Sequence, residues 1–117
     1  MPTWPDGPAV LRTPDGGRMP VRVAASFRAR SRGLLGYDEP PDAALLLTPA
    51  QGVHTFGMRF AIDVAYLSRD LRVLAVRTMV PGRLGRPRLR ARHVLEAPAG
   101  TLAARGVAPG ARLAVEL

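Results

Sequence analysis

The stretch Ile62-Asp63-Val64-Ala65-Tyr66-Leu67, then Ser68-Arg69-Asp70, then Leu71-Arg72-Val73-Leu74-Ala75-Val76-Arg77-Thr78-Met79-Val80, decides which fold this chain can have. Ile62 to Leu67 is apolar except for one acid, and it has strand length and β-branched and aromatic content. Arg69-Asp70 supplies a turn. Leu71 to Val80 is the longest strand-like run, with Leu74, Val76 and Thr78 alternating with Val73, Ala75 and Arg77. A strand, a tight turn and a second strand point to a β-rich fold.

The flanks repeat the pattern. Ala9 to Arg12 and Met19 to Ala25 read as two strands of an N-terminal hairpin over residues 9–25, with Asp15, Gly16 and Gly17 in the turn between them. Ser26 is a suitable N-cap for a short helix from Phe27 to Leu35, with Phe27, Arg30 or Ser31, and Leu34 at helical spacing and glycines closing the end. Ala43 to Leu47 is an unbroken apolar run, the pattern of a strand buried on both faces. His54 to Phe60 is ambiguous, and Gly57 marks a bulge or bend. After a loop from Pro81 to Arg90 come a strand at His93 to Ala97, a helical turn near Ala99 to Arg105 and a last strand at Arg112 to Leu117. The expectation is a mainly β, β-rich α+β fold. It takes the form of a single compact antiparallel β-barrel or sandwich-like domain over residues 1–117, with one short helix after the second strand.

Composition agrees. Of 117 residues 47% are hydrophobic but only 5% aromatic, so Val, Leu and Ala must fill the core, and 12 Gly with 12 Pro are too many breakers for a helix bundle. There is no cysteine, which excludes disulfides and thiolate metal sites. No apolar run approaches the roughly 20 residues of a membrane-spanning helix. The first residues lack the basic start and apolar run of a leader, so a cytoplasmic protein is expected.

The net charge of +8 is carried by 17 arginines and no lysine. A basic surface suits nucleic acid, an acidic partner or an anionic membrane. The total absence of Lys argues instead that Arg is written wherever a surface needs a cation. Arg83, Arg86, Arg88, Arg90 and Arg92 form the densest cluster and are the candidate anion or nucleic-acid contacts. With no aromatic interleaved for base stacking, a solvated loop is the favoured reading.

Several segments together resemble the family called domain of unknown function 192, also uncharacterised protein family 0127. Residues 24–36, ending Arg32-Gly33-Leu34-Leu35-Gly36, resemble its helix ending in Arg-Gly-Leu-Met-Gly. Ala44 to Leu47 resembles the apolar strand that follows. Met58, Ala61 and Ile62-Asp63-Val64 resemble its Trp-Met-Lys-Asn-Thr then Leu-Asp segment. Val94-Leu95-Glu96-Ala97-Pro98-Ala99-Gly100 is similar to its Val-Leu-Glu-Leu-Pro-Ala-Gly, and Gly106 and Gly110 fit its closing turn. The resemblance runs from about Val21 to Leu117 and implies a compact β-barrel-like domain with a short helix. It supplies no catalytic mechanism. Gly57 stands where Trp is usual, and Ala111 where an acid normally follows the last Gly.

The candidate pocket is His54, Met58, Arg59, Asp63, Glu96 and Arg32. His54 can act as acid, base or ligand near neutral pH. Asp63 and Glu96 lie inside apolar strands, where a carboxylate needs hydrogen bonds or a cation, and Arg32 and Arg59 are candidate partners for Asp63. Met58 reads as core filling beside a Gly bend. Three functions follow. The first is a non-enzymatic binding or accessory module, whose polar cleft near residues 54–63 takes a small polar ligand or a protein partner. The second is a small hydrolase using Asp63 or Glu96 with His54. The third is a basic adaptor acting through residues 83–92. No cofactor and no metal site are expected, although His54, His93 and Asp63 would make a metal site if they met in space.

Overall fold

The computed structural model describes residues 4–39 and 41–117. In chain order the elements are β1 (Gly7–Arg12), β2 (Arg18–Ala24), α1 (Phe27–Arg32), β3 (Ala44–Leu47), β4 (Ile62–Leu67), β5 (Val73–Met79), β6 (His93–Pro98), α2 (Thr101–Ala104) and β7 (Ala114–Glu116). Among the described residues they build one seven-stranded sheet in the order β5-β4-β6-β3-β2-β1-β7. The sheet curls into a half-barrel, so the β-rich, barrel-like expectation holds.

The first hairpin is pinned at its turn. Gly16 N–H donates to Thr13 O and Thr13 N–H to Gly17 O, each at 3.0 Å, while Asp15 Oδ1 accepts from the Thr13 hydroxyl and the Gly17 amide. Far along the chain, the stretch before β7 reaches the start of β5. Val73 N–H donates to Ala111 O at 2.8 Å and Leu113 N–H to Leu71 O at 3.0 Å. The two ends of the sheet therefore meet at one rim.

One pairing departs from the all-antiparallel expectation. β2 and β3 run parallel, with Val21 opposite Ala44 and Val23 opposite Leu46. A parallel pair needs a long crossover rather than a tight turn, and residues 25–43, which contain α1, supply it. The run Ala44 to Leu47 is apolar without alternation because the sheet is covered on both faces. Ala44 and Leu46 join an inner cluster with Leu11, Val21, Leu67 and Leu95, whereas Leu45 joins an outer one with Leu34, Val64, Tyr66 and Val94.

α1 has only six residues, too short to persist by propensity. Its caps hold it. Ser26 Oγ accepts from Ala29 N–H at 3.1 Å, and Asp6 accepts from the amides of Ala25 and Ser26 at 2.5 and 2.8 Å. Arg30 and Arg32 in the last turn suit the negative end of the helix dipole. The apolar stripe expected from Phe27 through Leu34 does not form. The chain leaves helical geometry at Gly33 (φ 50°), so Leu34 turns into the outer core while Phe27 stays 79% exposed.

Candidate functional site

Strand pairing fixes which carboxylate faces which side. Directly opposite residues of paired strands share a face. Glu96 lies opposite Val64 on one side and Leu45 on the other, whereas Asp63 lies opposite Ala97. Period-two alternation therefore sends Glu96 to the outer face and Asp63 to the inner one. The two acids, both placed in the candidate pocket from the sequence, therefore do not face one substrate atom.

Asp63 is 2% exposed. Its expected partners, Arg32 and Arg59, are not the ones it has. Oδ1 accepts from the Thr78 hydroxyl at 2.7 Å, and Oδ2 accepts from the Leu102 amide at 3.2 Å. The second bond caps α2, whose own N-cap, Gly100, has no side chain to do so. Arg59 is exposed and pairs with Asp38. It contacts neither Asp63 nor Glu96 and does not line the cleft that Glu96 lines.

Glu96 is equally buried but differently placed. Its cross-strand neighbours are apolar, and Oε1 has no hydrogen-bond partner among the described residues. Burial pushes its carboxyl up to about 7. Glu96 forms part of a cleft of about 110 Å³ with Arg30, Arg32, Gly33, Leu47, Val53, His54 and Met58. Four of the six sequence candidates, namely His54, Met58, Glu96 and Arg32, thus share one concavity, and Arg59 and Asp63 do not.

An irregular ribbon forms the far wall. Thr55 N–H donates to Arg83 O, Gly85 N–H to Val53 O and Arg88 N–H to Gln51 O, each at 2.8 Å, and His54 bridges Leu84. Thr55 locks the ribbon: fully buried, it donates its hydroxyl to Val80 O at 2.7 Å and accepts from Arg83 N–H at 2.8 Å. His54 is exposed at the rim and stacks on Phe56 with ring centroids 5.4 Å apart. The ribbon packs so closely that a Cβ on Gly85 would lie 2.8 Å from Tyr66 Oη and 3.1 Å from Val53 O. Gly85→Ala is expected to cost about 1–3 kcal/mol, as overpacking does, read as a lower urea midpoint with an unchanged slope.

Arg30 was not singled out from the sequence. Nothing local separates it from Arg28 and Arg32. Its guanidinium donates through Nη1 to Pro49 O at 3.1 Å, and its buried Nε lacks a partner among the described residues. Thr55 was also missed, since a lone threonine in an irregular stretch gives no periodic signal.

His93 stands apart from this site. Its Nδ1 accepts from the Thr48 hydroxyl at 2.7 Å when Nε2 carries the proton toward Arg69 O at 3.3 Å, and burial holds the imidazole below its usual range. His54, His93 and Asp63 do not converge, and among the described residues no three His, Asp or Glu side chains form a metal-holding group. The five loop arginines are placed differently. Arg88 is half-buried with its guanidinium 5.1 Å from the Tyr66 ring centroid, while Arg90 and Arg92 line an open basic concavity with Arg30 and Arg69 that Arg83 and Arg86 do not reach.

Fold and site together define a small β half-barrel whose outer face carries a polar cleft beside a short crossover helix. The chain belongs to the DUF192 family, described as an uncharacterized ACR, whose model matches residues 10–115 and so also takes in the first hairpin. It is 36% identical over 85 residues to a UPF0127 protein of Pyrococcus horikoshii, covering 68% of this chain and 73% of that one. It is 32% identical over 101 residues to a UPF0127 protein of Pyrococcus furiosus, covering 82% and 86%. Two solved structures share the fold. One is a protein of unknown function from Novosphingobium aromaticivorans (TM-score 0.74, 20% identity, 92% of this chain and 83% of that one). The other is a candidate transcription regulator from Sinorhizobium meliloti (TM-score 0.78, 23% identity, 98% and 97%). At these identities the likeness concerns architecture.

No described helix is long and apolar enough to cross a membrane.

Proposed function

We propose that this chain is a binding module rather than an enzyme, and that the cleft between α1 and the 50–58 arm takes a small polar ligand. One observation carries the reading. Two buried polar atoms of opposite character, Glu96 Oε1 and Arg30 Nε, have no partner among the described residues, and both residues line the same cleft. A buried polar group left unsatisfied costs about 1–3 kcal/mol. A ligand with a hydrogen-bond donor at one end and an acceptor at the other answers both at once. His54 and Arg32 at the rim add polar contacts, and Met58 and Leu47 supply apolar wall. A volume of about 110 Å³ admits only a few heavy atoms. Hydrolysis is less well supported: His54 has no hydrogen-bonded orienting group among the described residues, and Asp63 faces the other way. General acid–base work needs groups held within reach of one proton.

Amide-shift NMR with acetamide, N-methylurea and glycine as probes tests this. At least one probe is expected to move the amides of Leu47, Val53 and His54, and Glu96→Leu, which removes the acceptor and fills space, is expected to abolish the response. If all three probes leave those amides unmoved into the millimolar range, the reading fails.

A further inference from the structure

A second cleft lies on the other flank of α1. It measures about 380 Å³ and shares Arg32 and Gly33 with the first. Its floor is apolar, made by the buried Ala24, Leu34 and Leu45 of the outer face. Three guanidiniums stand around it: Arg22 from the exposed side of β2, and Arg28 and Arg32 one turn apart on α1. None of the three has a hydrogen bond or ion pair among the described residues, whereas Arg12, Arg18, Arg59 and Arg112 all reach carboxylates. The one acid lining the cleft, Asp6, is already engaged by the amides of Ala25 and Ser26.

The placement works against the helix. Like charges at i and i+4 destabilise a helix by a few tenths of a kcal/mol. α1 carries Arg28, Arg30 and Arg32 with no acid in its first turn and no buried residue. An anion between Arg28, Arg32 and Arg22 would relieve that repulsion and tie α1 to β2. Guanidinium forks suit carboxylate and phosphate geometry. The apolar floor and a volume within the range of ordinary ligand pockets ask for a ligand with a body as well as a charge. Tyr37 also lines the cleft.

We infer that this cleft is a binding site for a small organic anion with a flat apolar body, an aromatic carboxylate or comparable anion, gripped by Arg22, Arg28 and Arg32. The site is independent of the Glu96 cleft except for the shared wall at Arg32 and Gly33.

The test uses the intact chain with 2-naphthoate and its neutral counterpart 2-naphthamide, followed by amide-shift NMR and calorimetry. Naphthoate is expected to move the amides of Val23, Leu34 and Ala44 and to bind at least about tenfold more tightly than naphthamide, a gap of about 1.4 kcal/mol. The double variant Arg22→Gln/Arg28→Gln is expected to lose at least that factor. Both side chains are exposed, and unchanged circular dichroism checks the fold. Arg22→Lys/Arg28→Lys, which keeps the charges, is expected to retain part of the affinity. Glu96→Gln is expected to leave naphthoate binding unchanged, which separates this site from the first cleft. Equal binding of naphthamide, undiminished binding by the Gln variant, shifts confined to the basic concavity at residues 49–51 and 89–92, or no binding into the millimolar range would each overturn the assignment.

Discussion

Glu96→Gln is expected to make the domain more stable than the parent at pH 8, and to leave the two equally stable at pH 4. The sign follows from where the proton sits. In the unfolded chain Glu96 ionises near its ordinary value of 4.5; in the fold, burial raises that to about 7. Between those values the unfolded state gives up a proton that the folded state keeps. Stability conferred by this residue is therefore fully present below pH 4.5 and is lost as pH rises through about 7. One pKa unit corresponds to about 1.4 kcal/mol, so the loss approaches about 3 kcal/mol. Glutamine keeps the shape and never ionises, so it escapes the loss. Urea unfolding of both proteins across pH 4–8 reads the difference directly. Parallel curves at all pH values would mean that Glu96 ionises freely in the fold. His93 pulls the other way: burial lowers its imidazole pKa and confers stability at neutral pH that is lost as pH falls below the ordinary value of 6.5. The comparison with Glu96→Gln cancels that contribution because His93 is common to both.

A chain that keeps a destabilising acid in a central strand has tolerated its cost, and tolerated cost of this kind collects at functional sites. The same substitution therefore links stability to ligand binding. A gain in stability at pH 8 accompanied by loss of the probe response at Leu47 and Val53 joins both effects to one carboxylate.

How much of this was legible beforehand depends on the range of the interaction. Strand length with β-branched and aromatic content identified β4, period two identified β5, and the apolar run at Ala44 to Leu47 marked a strand buried on both faces. Ser26 marked the start of α1 because a cap is a contact three residues long. The parallel β2–β3 pair was not legible, since pairing direction is set by the path of residues 25–43 and not by either strand's own pattern. The site divides in the same way. His54, Met58, Glu96 and Arg32 were marked as polar or special residues in apolar or glycine-rich surroundings, and they share a cleft. Their grouping with Asp63 failed because alternation gives a residue's face only relative to its own strand. The offset between β4 and β6 appears only in the register that sets Asp63 against Ala97. Arg30 was invisible for a related reason: its distinction is an absent partner for Nε, which only packing reveals.

Asp63→Ala is expected to be among the most damaging single changes on the inner face, costing about 3 kcal/mol. Two hydrogen bonds end on this carboxylate, and bonds to a charged group are worth about 1.5–3 kcal/mol each. Their loss is unequal. Thr78 is exposed, so its hydroxyl can turn to water. The Leu102 amide cannot, because Leu102 is fully buried and its N–H points at Asp63 from the first turn of α2. Alanine would leave that amide unpaired and deprive α2 of the cap Gly100 cannot provide. Asp63→Asn retains an acceptor oxygen of the same reach and is expected to cost less than half as much. Urea unfolding of the three proteins supplies the free energies, and hydrogen exchange at Leu102 supplies the mechanism: Asp63→Ala should speed exchange there more than at Leu95, in the centre of β6. If the two amides lose protection in equal measure, the damage is global and the capping account fails. If Asn proves as harmful as Ala, the negative charge matters more than the acceptor geometry, and the dipole of α2 rather than its unpaired amide is what Asp63 answers.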